Sequence, residues 1–77
     1  MNLTQQELET IEKLAGLFYT PKQIAIILEI DPEMFEAHIR SETGNTYRAY
    51  YKGYYEADIE LRKSITQSAL SGSSPAQ

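Results

Sequence analysis

The stretch from Thr20 to Arg40, TPKQIAIILEIDPEMFEAHIR, carries two helix-start signals only eleven residues apart, and that spacing constrains the fold more than any other feature of the chain. Thr20 is a natural cap: Pro21 follows at the first helical position, and Gln23 completes a capping-box pattern three residues on. Asp31 and Pro32 repeat the cap and first-turn signature, so a first helix must stop near Leu28 and a second must begin at once. Two short helices joined at Glu29, Ile30 and Asp31 are predicted.

The apolar spacing assigns their faces. Ile24, Ile27 and Leu28 fall on one side of the first helix, Ile30 plugs the turn, and Phe35 with Ile39 forms the inner face of the second. Ala25 is small where the two helices cross closely. The unit reads as a helix-turn-helix.

A helix precedes it. Thr4 and Glu7 form a capping box, and Leu8, Ile11, Leu14 or Ala15, and Phe18 follow at helical spacing, so Gln5 to Phe18 reads as a scaffold helix behind the pair. Gln5, Glu9, Glu12 and Lys13 make its solvated face. Gly16 marks either close packing or fraying near its end, since glycine in a helix interior costs about 1 kcal/mol.

After Arg40, Gly44 is read as a left-handed cap, with Asn45 or Thr46 opening the next helix. From Tyr47 to about Leu70 only Gly53 interrupts the helical pattern, and roughly 24 residues at 1.5 Å each extend about 36 Å. A compact fold of this size has a radius of gyration near about 11 Å, so such a helix spans its full width or more. Tyr47, Tyr51, Tyr54, Leu61 and Ile65 form a stripe interrupted by Asp58, with Tyr50, Ala57 and Ala69 beside it. Apolar groups on more than one face predict one contact with the helical unit and another with a neighbouring subunit. The fold class is all-α: a three-helix unit containing the helix-turn-helix (20–40), then one long C-terminal helix (about 46–70), within a single helical domain (1–70). Residues 71–77, rich in Ser, Gly and Pro, read as a flexible tail or linker.

Charge bears on partners. The net charge is −4. Residues 1–42 carry three bases and eight acids, and residues 43–77 carry four bases and three acids, so the helix-turn-helix lies in the acidic part. That runs against the electrostatic footprint of a phosphate-binding face. No cysteine is present, which excludes disulfides and thiolate metal sites. The polar, acidic N-terminus is unlike a signal peptide, and no run approaches the roughly 20 apolar residues that span a bilayer. A soluble, cytoplasmic protein without membrane contact is expected.

The string Ile24-Ala25-x-x-Leu28-x-Ile30-Asp31-Pro32-x-x-Phe35-x-x-x-Ile39 resembles the helix-turn-helix of DNA-binding proteins. Followed in order by Tyr47-Arg48-Ala49-Tyr50-Tyr51-Lys52-Gly53, Glu60-Leu61-Arg62-Lys63-Ser64-Ile65 and Gly72-Ser73-Ser74-Pro75-Ala76-Gln77, it is similar to small terminase subunits of tailed phages, over nearly the whole chain. The resemblance implies a non-enzymatic protein of the host-cell cytoplasm that selects viral double-stranded DNA for packaging. It also implies a homo-oligomer and a large terminase subunit as partner, the latter holding the ATPase and nuclease. In that family Gly more often stands in the turn, where this chain has Glu29.

Catalytic chemistry finds no pattern to rest on. His38 is the only histidine, no glycine-rich phosphate loop or metal-ligand spacing is present, and the pair Glu56 and Glu60 reads as exposed charge. No cofactor is implied. For DNA, the side chains of the second helix off its core face are Pro32, Glu33, Glu36, Ala37 and Arg40, of which only Arg40 is a conventional base reader. Arg48, Lys52 and Tyr55 succeed one another at i, i+4 and i+7, a basic and aromatic strip suited to phosphates or stacking, and Lys22 is placed to touch the backbone. The candidate DNA-binding residues are therefore Lys22, Arg40, Arg48, Lys52 and Tyr55. A helix-turn-helix transcription regulator and a protein-interaction domain without nucleic-acid binding are the alternative readings.

Overall fold

A computed structural model describes residues 2–42 and 44–72, with side chains described as far as residue 67. Among the described residues the chain is all-helical: α1 (Gln5–Gly16), α2 (Pro21–Ile27), α3 (Pro32–Arg40) and α4 (Asn45–Gly72). Of the tail expected over 71–77, Ser71 and Gly72 are the last residues of α4, and the rest lies outside the described residues.

Each of the first three helices begins where a side-chain oxygen satisfies an orphan amide. The Glu7 amide donates to Thr4 Oγ1 at 3.1 Å while the Thr4 amide donates to Glu7 Oε1 at 2.8 Å. Gln23 and Thr20 repeat the exchange at 3.2 and 3.0 Å, and Asp31 Oδ2 accepts from the Met34 amide at 3.0 Å. Caps of this kind stabilise by about 1 kcal/mol each. All three start signals read from the sequence lie where predicted.

The ends of α1 and α2 share one device. After α1 the amides of Phe18 and Tyr19 turn back to the carbonyls of Ala15 and Leu14, at 2.9 and 3.2 Å. After α2 the amides of Glu29 and Ile30 do the same to Ile26 and Ala25, at 3.2 and 2.8 Å. This pattern requires a left-handed residue just past the helix, and Phe18 (φ 66°) and Glu29 (φ 60°) supply it without being glycine. Gly44, expected to be left-handed, is not: no described glycine has positive φ. It instead precedes α4, its carbonyl accepting from the Arg48 amide at 3.2 Å.

Ile11, Ala15, Ile24, Ala25, Phe35, Ile39 and Tyr50 form the buried core, with Leu8, Leu14, Leu28 and Ile30 packed partly against it. Burying a side chain such as Ile11, Ile24 or Phe35, each fully enclosed, contributes roughly 1.5–3 kcal/mol. Two expected core residues are outside. Ile27 is 51% exposed because Ala25 takes the inward position next to Ile24. Phe18 is 46% exposed because α1 ends at Gly16, and its ring meets Tyr54 edge-on at 5.4 Å.

α1 and α4 run side by side in the same direction: Leu3 and Leu8 share a small cleft with Thr46, and Glu12 and Gly16 lie against Gly53 further along. Gly53 is where they cross. A Cβ there would stand 2.0 Å from the Glu12 carbonyl oxygen, so only glycine permits the approach. Gly16 faces the Gly53 carbonyl across the crossing, which settles its role as close packing. The buried side of α4 is accordingly Thr46, Tyr50 and Gly53, rotated from the tyrosine stripe that the spacing suggested.

α1 stops beside Ala57 and α4 does not. Residues 59–67 are all exposed, Leu61 by 50% and Ile65 by 60%. The molecule is elongated, 51 × 21 × 21 Å with a radius of gyration of 15.9 Å, against about 11 Å for a compact chain of this length.

Candidate nucleic-acid interface

The five candidate residues occupy three elements, and each is exposed for a local reason. Lys22 is the second residue of α2, on the turn that Thr20 caps, and points away from Ile24 and Ala25. Arg40 closes α3, one residue beyond the buried Ile39. Arg48, Lys52 and Tyr55 lie on the side of α4 turned from Thr46, Tyr50 and Gly53.

With Phe35 and Ile39 facing inward, α3 presents Glu33, Met34, Ala37 and Arg40 to solvent, and Glu36 is half-buried. The outer face thus carries an acid near its start and a base at its end, which suits the helix dipole. It offers one conventional base reader and no cluster of cations.

The α4 strip is assembled as the spacing indicated, but its charges are not equivalent. Lys52 Nζ donates to Glu12 Oε2 at 3.2 Å. The hydrogen bond to Glu12, with the added attraction of Glu12 and Glu56, raises the lysine's pKa and keeps it charged. That charge is already opposed by a carboxylate. Being exposed, the pair adds little to stability, but it lowers the positive potential that Lys52 would offer a phosphate. Arg48 has no ion-pair partner among the described residues, nor do Lys22 and Arg40. No hydrogen bond or ion pair links Lys22 or Arg40 to the α4 strip among the described residues.

Tyr55 is 55% exposed and its ring stacks on Tyr51, with centroids 5.5 Å apart and planes 29° from parallel. Tyr51 in turn meets Tyr47 at 4.9 Å and Tyr50 edge-on at 5.0 Å. The exposed ring is thus the outer member of an aromatic row rooted in the core. Tyr50 anchors that row: its hydroxyl donates to the Tyr19 carbonyl at 3.4 Å, and burial, chiefly, pushes its pKa up. Rings held this way are rigid stacking platforms.

Glu12 is the residue that sequence reasoning missed. Its position on the polar face of α1 reads as solvated, yet its carboxylate holds Lys52 and its backbone abuts Gly53. Nothing in the local pattern signals a contact forty residues away, which exists because two glycines bring α1 and α4 together. The same crossing leaves a shallow groove floored by Gly16, Leu17, Gly53 and Ala57 and edged by glutamates.

His38 is half-buried and lines the small cleft beside Leu3 and Thr46. Among the described residues, no three His, Asp or Glu side chains are grouped to hold a metal ion, and no helix is long and apolar enough to cross a membrane. Comparison with known protein families, characterised proteins and solved structures finds no match to this chain.

Proposed function

We propose that the chain is a DNA-binding module of the small-terminase kind, recognising viral double-stranded DNA for genome packaging as a homo-oligomer and acting with a large terminase subunit. In this reading α2, the turn through Glu29 and α3 form a helix-turn-helix with α3 as the groove-facing helix. The observation that carries it is the outward face of α3 ending in Arg40, with Lys22 and Arg48 also exposed and unpaired among the described residues.

Roles divide among the five residues. Arg40 reads base edges, Lys22 and Arg48 meet phosphates, and Tyr55 stacks or packs against the sugar-phosphate backbone. Lys52 contributes least, since Glu12 already holds it. Glu33 repels phosphates, so affinity per copy is low and avidity from more than one copy supplies the rest.

Fluorescence anisotropy on labelled viral and random duplexes at low and raised salt tests this. Arg48→Ala should weaken binding to all sequences and reduce the salt slope by about 1, Lys52→Ala should do markedly less, and Arg40→Ala should cost about 1–3 kcal/mol and relax sequence preference. Absence of binding to any duplex at low salt would discard the reading in favour of a protein-interaction domain.

A further inference from the structure

Where α4 outruns α1 it presents a defined surface. Leu61 and Ile65, one turn apart, form an exposed apolar pair on one face. Asp58 and Arg62 run along one flank of that pair, joined to each other by a hydrogen bond of 2.8 Å from Arg62 Nε to Asp58 Oδ2. A helix cannot bury such a face on itself, so the side of α4 that carries Leu61 and Ile65 is open to a partner.

We propose that the cover is a second copy of this chain, the two projecting halves of α4 lying antiparallel about a two-fold axis close to Glu60. The order of charges selects both the occupant and the direction. In an antiparallel helix pair like flanks meet, so Asp58 of each copy comes level with Arg62 of the partner subunit, and two intrahelical pairs merge into one cluster of alternating sign. In a parallel pair opposite flanks meet, so Asp58 and Arg62 of each copy face the flank of Ala57 and Ser64, which offers them no such match. Leu61 then falls beside the axis, and Ile65 comes level with Tyr54 of the partner subunit, which lies seven residues before Leu61 and shares its face. An isologous contact of this kind closes at two copies. Because it spans few residues, it gives a concentration-dependent dimer. The pairing deepens the assembly part of the proposed function and does not depend on the DNA contacts.

Sedimentation equilibrium of the full chain without DNA tests it. The unaltered protein should pass from one copy to two as concentration rises. Leu61→Asp, at an exposed position, should leave the helical circular-dichroism signal intact and weaken self-association at least about tenfold. Asp58→Arg and Arg62→Asp should each weaken it, and the two combined in one chain should restore it. Direction is read by oxidation: Leu61→Cys should link two copies, while Ile65→Cys should not, since antiparallel Ile65 positions lie roughly 15 Å apart along the axis, beyond the about 7 Å that a disulfide can bridge. A chain that stays single at every concentration, a Leu61→Asp variant that pairs as well as the parent, or Ile65→Cys copies that link as readily as Leu61→Cys copies would each overturn the proposal. With DNA absent, failure here leaves the DNA-binding reading untouched, and failure of DNA binding leaves this one standing.

Discussion

The two halves of α4 are continuous in backbone and opposite in what sustains them. From Asn45 to Ala57 the helix is held by tertiary contact: Thr46 and Tyr50 are buried, and Gly53 lets it approach α1 until backbone meets backbone. From Asp58 onward the ion pairs among the described residues lie within the helix itself: the Arg62–Asp58 pair and the longer 3.6 Å Lys63–Glu60 pair. Such exposed pairs, screened by solvent, contribute little to stability. Helical propensity is thus sufficient to extend α4, but packing decides which part of it carries the fold. A long uninterrupted helix in a sequence says nothing about where its partner ends.

The largest effect should come from breaking the crossing. Gly53→Ala places a Cβ 2.0 Å from the Glu12 carbonyl oxygen, and a backbone atom cannot swing aside as a side-chain tip can. The helices must separate, and the cost should reach about 3 kcal/mol, outweighing the roughly 1 kcal/mol that alanine gains in helix propensity. Gly16→Ala is the control across the same crossing: its Cβ would stand 3.4 Å from the Gly53 carbonyl oxygen, at the edge of ordinary contact. Urea denaturation should find it near neutral or slightly stabilised. Equal losses for the two would show that the crossing is looser than described.

The sequence made the helices legible, but not their mutual arrangement. Thr4, Thr20 and Asp31 announced their helices because capping is a local interaction, complete within four residues. The four-helix order followed from those caps and from the unbroken run after Asn45. Gly53 was visible only as an irregularity, since what makes it necessary is the Glu12 backbone, forty-one residues earlier in the chain. The buried face of α4 was misplaced for a related reason: five tyrosines along it, apolar in body and polar at the tip, outline several stripes, and only the crossing chooses Tyr50. Of the candidate site, the exposure of Lys22, Arg40, Arg48, Lys52 and Tyr55 was readable, and the capture of Lys52 by Glu12 was not.

A smaller effect probes how the packed half is supported from α2 and α3. Glu29 holds φ 60° to close α2 and start the turn into α3. A left-handed conformation costs a residue with a side chain roughly 1 kcal/mol or more, and glycine nothing comparable. Glu29→Gly should therefore raise stability by about 1 kcal/mol in thermal or urea unfolding, with its acidic side chain exposed and unpaired among the described residues. A loss of stability would mean that the carboxylate has a role in the turn that no contact reveals.

The smallest effect should come from the projecting half. A stop after Glu60 removes Leu61 and Ile65, which are 50% and 60% exposed and lie outside the buried cluster, so little apolar surface that the fold had removed from water is returned to it. At concentrations low enough to keep the protein as single copies, the unfolding free energy from urea denaturation should change by less than about 0.5 kcal/mol, as for surface changes generally. The helical circular-dichroism signal should fall in proportion to the residues lost. At high concentration the same truncation should cost more, because a partner that binds only the folded state adds stability through mass action. The concentration dependence separates the two halves of α4: loss at Gly53 should be the same at every concentration, whereas loss beyond Glu60 should grow with it. A truncation that destabilises the dilute protein as strongly as Gly53→Ala would place part of the core where the structure has only solvent.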